Sequence, residues 1–186
     1  MNPTVTASLV AATVAVVGWF IAHLLGQITA RRNLKQAAAI KHIERQLEEL
    51  YGPLAFLMIE GRQTFNELLD SLGRQYVFYA DRPLPDDELK TWLFWVENDF
   101  FPRNERVKCL LSAKAHLMEG DAIPESYQAF LDHHNSWYIN HLRWQKEGIE
   151  YSWCSKINWP EQFGVDVLKT FDELRRRHME LIREQL

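Results

Sequence analysis

Thirty residues pass before the first Lys, Arg, Asp or Glu. From Met1 to Ala30 the only titratable side chain is His23, and all 21 Lys and Arg and all 25 Asp and Glu follow. Within this stretch residues 5–28 are predominantly apolar, carrying Val10, Val14, Val17, Ile21, Leu24, Leu25 and Ile28. As a helix, that run covers about 36 Å, enough for a ~30 Å hydrocarbon core with some tilt. A cleaved signal peptide needs a basic leader, a shorter apolar run and a small-residue cleavage site. Met1-Asn2-Pro3-Thr4 has no basic residue, the run is too long, and Ile28-Thr29-Ala30 is a poor cleavage match. The expectation is an uncleaved transmembrane anchor in residues 1–30.

The charges beyond the run give it a direction. Arg31, Arg32, Lys35 and Lys41 follow directly, with no acid before Glu44. Basic residues flanking a span stay on the cytoplasmic side. The N-terminus is therefore expected outside an inner (cytoplasmic) membrane and residues 31–186 in the cytoplasm. The same flank suits anionic headgroups, making membrane lipid an expected partner. Ala11, Ala15, Gly18, Ala22 and Gly26 form a seam of small residues at spacings of four, three, four and four. Such seams let helices approach closely in lipid, so a homo-oligomer is expected.

The rest of the chain reads as an all-α bundle of about five or six helices. Ile40, Ile43, Leu47, Leu50, Leu54 and Leu57 hold one heptad register. It suits a core-facing bundle helix in its later half; the membrane-proximal half is equally open to a coiled-coil seam between subunits. Gly52 and Pro53 interrupt it: either the helix kinks, or Gly52 ends one helix and Pro53 opens the next. Helices are expected from Asp86 to Phe101, with Leu89, Trp92, Leu93, Val96 and Phe100 on one face, and from Arg103 to Met118. Another runs from Pro124 to about Lys146, and Pro160 opens a last helix ending in exposed i,i+4 pairs such as Glu173–Arg177. Residues 75–80 are the sole strand candidate. Six of seven tryptophans and all six tyrosines lie beyond Arg31, a composition foreign to disordered chains.

A net charge of −4 gives no sign of a nucleic-acid surface. Cys109 and Cys154 stand apart with no CxxC, and buried free thiols in a reducing compartment are expected. Tyr127, Phe130, His134, Trp137, His141 and Trp144 repeat at three and four. His134 and His141 are two turns apart, about 10 Å, too far to share one metal ion. Core histidines hydrogen-bonded at a packed interface are expected, with His133 directed elsewhere. No phosphate loop, dinucleotide fingerprint, nucleophile elbow or kinase set is present, and no metal or cofactor is implied.

Two segments carry resemblances. Leu47-Glu48-Glu49-Leu50-Tyr51-Gly52-Pro53-Leu54-Ala55-Phe56-Leu57, after one apolar run and a basic flank, resembles small uncharacterised bacterial membrane-anchored proteins. Arg103-Asn104-Glu105-Arg106-Val107-Lys108 resembles the Arg-polar-x-x-x-His motif of HEPN-type ribonucleases, in which a dimer's Arg and His stabilise phosphate charge and move protons. Here Lys108 takes the place of His, and His116 lies over two turns further on; basic residues on a solvated helix flank are the plain reading. In layout alone the chain is similar to the HEPN-like membrane-pore effectors that accompany some RNA-targeting CRISPR systems. Three functions are thus expected to compete. They are a self-associating, non-enzymatic membrane protein, with a pore-type or membrane-perturbing effector in bacterial defence as its specific form; a membrane-tethered adaptor for a cytoplasmic protein; and a divergent HEPN-like ribonuclease.

Overall fold

The structure, a computed structural model, describes the backbone of residues 3–78, 84–149, 151 and 158–184, and within these the side chains from residue 16 onward. It is all-helical, with no strand among the described residues. Of the strand candidate, residues 75–78 are irregular and residues 79 and 80 lie outside the described set.

Six helices follow in order: α1 (Pro3–Gln46), α2 (Gly52–Ser71), α3 (Asp86–Trp95), α4 (Phe101–Ala113), α5 (Glu125–Glu147) and α6 (Glu161–Arg183). Two π-turns join them in pairs: Leu47–Tyr51 leads from α1 into α2, and Val96–Phe100 from α3 into α4. Each sits just before an X-Pro step, Gly52-Pro53 and Phe101-Pro102. Proline offers no N–H to the carbonyl four residues back, and its ring collides with it. Widening the preceding turn relieves the collision without ending the helix. The Gly52 N–H accordingly bonds the Leu47 carbonyl, and the Phe101 N–H the Val96 carbonyl. Gly52 stays helical at φ −62° and Pro53 lies in the first turn of α2. The interruption expected at Gly52 and Pro53 is thus a change of hydrogen-bond register within a continuous helical path.

The heptad register turns inward. Ile43, Leu50, Leu54 and Leu57 are buried, and Leu47 packs against them. They meet Val107, Leu111, Leu117, Tyr127, Phe130, Phe163, Val167 and Leu174 in one core. From Ile43 onward the seam serves the chain's own bundle. A second core is aromatic: Trp92, Phe100, Phe101 and Trp137 with Leu68, Val77 and Val96. Here Trp92 lies between Phe78 (4.9 Å) and Trp137 (5.8 Å), and its indole N–H donates to the Tyr151 hydroxyl at 3.0 Å. Offset and edge-on rings of this kind add to simple area burial.

α6 returns antiparallel to the end of α1. His178 Nε2 lies 3.4 Å from Glu44, and the Gln36 amide donates to the Leu181 carbonyl at 3.2 Å. Arg177 pairs across to Glu119 at 3.1 Å, not to Glu173, which lies 4.0 Å from Lys169. The reason is geometric: the loop before α5 brings Glu119 alongside α6, where a cross-link competes with the intrahelical pair.

α1 holds 44 residues, about 66 Å of helix. Among its described side chains, residues 16–35 are exposed throughout and packing begins at Gln36. Among the described residues no helix is long and apolar enough to cross a membrane. The expected span 5–28 lies partly outside them, because the side chains of residues 1–15 are not described.

Candidate functional site

Among the described residues a run of exposed apolar side chains lies on this part of α1. Val16, Val17, Trp19, Phe20, Ile21, Leu24, Leu25 and Ile28 are all 44% exposed or more. Burying such side chains fully is worth about 1.5–3 kcal/mol each, so the segment leaves burial on the order of 5 kcal/mol or more unrealised. At roughly 100° per residue the segment divides into two faces. Val17, Phe20, Ile21, Leu24, Leu25 and Ile28 fall in one sector; Gly18, Ala22 and Gly26, then Trp19, His23 and Gln27, fill the rest, with Val16 among them. A Cβ on Gly18 or Gly26 would meet nothing within 4 Å. Nothing among the described residues therefore requires glycine at either position. Ala22 is exposed as well, and Ala11 and Ala15 lie outside the described side chains. Arg31, Arg32, Lys35 and Lys41 are all exposed just beyond.

The Trp19–His23–Gln27 row is a feature that the charge pattern alone did not bring out. The Trp19 and His23 rings stack at 5.5 Å, and Gln27 Nε2 lies 2.9 Å from His23 Nε2. Its signal in the sequence is the four-residue spacing of three polar-edged side chains inside an apolar run.

Arg103 and Asn104, expected on a solvated flank, are 5% exposed and belong to the interior. The correction has a physical cause. Arg103 faces α2 and is held there by three groups: an ion pair with Asp99 one turn back, a hydrogen bond to Thr64 Oγ1 at 2.7 Å, and Glu60 at 3.7 Å. Its guanidinium also lies 6.0 Å from the Phe100 ring centre. Gly61 makes room, since a Cβ there would come within 3.1 Å of Arg103 Nη1. Lys108 is half-buried, 3.5 Å from Glu105 on its own helix. Arg103 and Lys108 thus meet different acids, Asp99 and Glu60 for one and Glu105 for the other.

The α5 histidines are core residues that each meet an acid from a neighbouring element. His134 Nε2 lies 3.1 Å from Glu105 on α4, and His141 Nε2 lies 3.2 Å from Glu97 in the second π-turn. Burial pushes both imidazoles below their ordinary range, partly offset by the neighbouring carboxylate. Neither Nδ1 has a hydrogen-bond partner among the described residues. In the neutral ring that burial favours, the Nε2 proton is the one directed to the acid. His133, expected to point elsewhere, is buried too, against Trp137 and Trp159 at 5.6 Å each. Its neighbours are rings on α5 and at Trp159, which a single-helix projection does not contain. Among the described residues no group of three or more His, Cys, Asp or Glu is placed to hold a metal ion.

A shallow groove of about 970 Å³ runs between α2 and α4, floored by Pro53, Leu57 and Leu110 and edged by Phe56, Ile59 and Arg106. Phe56 is 71% exposed. Cys109 opens onto this groove as an exposed free thiol, against the expectation of burial. It lies two residues past buried Val107, on the opposite side of α4. Cys154 lies outside the described residues. No family model, curated protein or solved structure matches the chain.

Proposed function

We propose that the chain is a membrane-anchored, self-associating α-helical protein. Its apolar N-terminal helix enters the bilayer, and its bundle stands on the cytoplasmic side. One observation carries the reading: α1 continues past its own bundle as a helix whose described apolar and small residues, from Val16 to Ile28, stay exposed and are covered by nothing among the described residues. Lipid covers a bulky aliphatic sector at no cost, and a seam of Gly and Ala favours close helix approach. The basic flank sets the orientation and meets anionic headgroups. A pore-type or membrane-perturbing role in bacterial defence follows if the assembled helices breach the bilayer.

Full-length protein should resist carbonate extraction from membranes. In gentle detergent it should have a protein mass well above 21.9 kDa. Gly18→Leu with Ala22→Leu should lower that mass; a monomer in gentle detergent sinks self-association. Leakage of a trapped dye from liposomes separately tests the membrane-perturbing role.

The adaptor reading is favoured by the α2–α4 groove, whose exposed Phe56 and Ile59 suit an apolar partner segment. Stoichiometric recovery of one cytoplasmic protein with the full chain would move it to first place. The ribonuclease reading has least support, because the Arg103 guanidinium is committed to Asp99 and Thr64. RNA cleavage abolished by Arg103→Ala in a folded chain would reinstate it.

A further inference from the structure

We infer that the polar row Trp19–His23–Gln27 is where one copy of this chain meets another, each covering the other's hydrogen-bonding groups. The inference rests on the self-associating membrane reading and names the face and the partner within it. The Gln27 amide nitrogen can only donate, so at 2.9 Å the His23 Nε2 is the acceptor and Nδ1 carries the ring proton. That contact uses one donor and one acceptor. It leaves two kinds of group on an exposed row: donors, in the His23 Nδ1–H, the second Gln27 amide N–H and the Trp19 indole N–H, and an acceptor, the Gln27 Oε1.

In water both are satisfied by solvent. In hydrocarbon an unpaired polar group is expensive, and lipid tails offer no partner. A second row of the same composition does: the Gln27 Oε1 of each helix, with two lone pairs, accepts from the His23 Nδ1–H or the amide N–H of a copy. The neighbouring Gly18, Ala22 and Gly26 lack side-chain bulk at the row's edge, which lets two backbones come close enough for these bonds. The bulky sector with Leu24 and Ile28 is left to the lipid.

The test uses the full-length chain in lipid nanodiscs or gentle detergent, with Cys109 and Cys154 replaced by serine and single cysteines introduced for oxidative cross-linking. Ala30→Cys, on the same face as Trp19 and His23, should give a disulfide-linked dimer several-fold more readily than Leu24→Cys or Ile28→Cys. In the same background His23→Leu, which keeps the helix apolar, should weaken association about three- to twentyfold, the range measured for interhelical hydrogen bonds in membranes. Cross-linking that is equal or stronger at Leu24, or association undiminished by His23→Leu, overturns this inference while leaving self-association standing. A chain that stays monomeric and cross-links at no position removes both.

Discussion

Arg103 on α4 donates to Thr64 on α2 at 2.7 Å while paired with Asp99 one turn before it. The bond ties the segment after the second π-turn to the middle of the helix that follows the first. Removing one member of a largely buried ion pair leaves the other uncompensated. Arg103→Ala should therefore cost about 3 kcal/mol, and Thr64→Val, which removes one hydrogen bond to a charged group, about 1.5 kcal/mol. Urea unfolding of the two variants checks the order. Equal, negligible losses would show that the clamp contributes nothing net.

Gly52 should be intolerant for a different reason. A Cβ there would stand 2.5 Å from the Leu47 carbonyl oxygen, a backbone atom held by the π-turn itself. Gly52→Ala would normally favour a helix. Here it should lower stability by about 1–3 kcal/mol, the usual cost of overpacking. An increase in denaturation midpoint would mean that the π-turn relaxes to an ordinary helical turn.

Acid should loosen the α5 contacts. Because His134 and His141 have folded-state affinities for protons lowered mainly by burial, the unfolded chain binds more protons below their unfolded value of about 6.5. Their contribution is complete above that pH and is lost as pH falls through the lowered folded values. The melting temperature should fall between pH 7.5 and 5.5, and His134→Gln should flatten the slope. Glu49 acts further down: hydrogen bonds from Arg45 and then Lys114 hold its carboxyl at about 2. Its share is present above the ordinary carboxylate range and is lost as pH falls from there toward about 2. A melting temperature constant from pH 7.5 to 5.5 would remove the histidine account.

The groove offers a separation of stability from recognition. Phe56 is mostly exposed, so Phe56→Ser should change folding stability by less than about 0.5 kcal/mol. If a cytoplasmic protein co-purifies with the chain through this groove, Phe56→Ser with Ile59→Ser should release it. Retention of the partner by the folded double variant would place its contact elsewhere.

Much of the helical plan was legible in the sequence because proline punctuates it. Asp86, Pro124 and Pro160 mark starts that the structure reproduces to within a residue, and Leu89 through Phe100 share the face that the periodicity gives. What pattern could not supply was partnership across helices. Arg103 and Lys108 look alike as exposed cations until α2 brings Thr64 and Glu60 to one of them. The π-turns were equally hidden. Glycine and proline announce an interruption, but whether the chain stops, bends or widens depends on the packing around Leu50 and Tyr51.

Between Gly26 and Gly52 the chain has neither glycine nor proline, and α1 runs without interruption from its exposed part into the core at Ile43. The segment is thus keyed to the bundle like a shaft to a wheel. Its compass bearing is set by residue count: each residue inserted between Gln27 and Gln36 would swing the lower face by roughly 100° relative to α6, while leaving every side chain on either part unchanged.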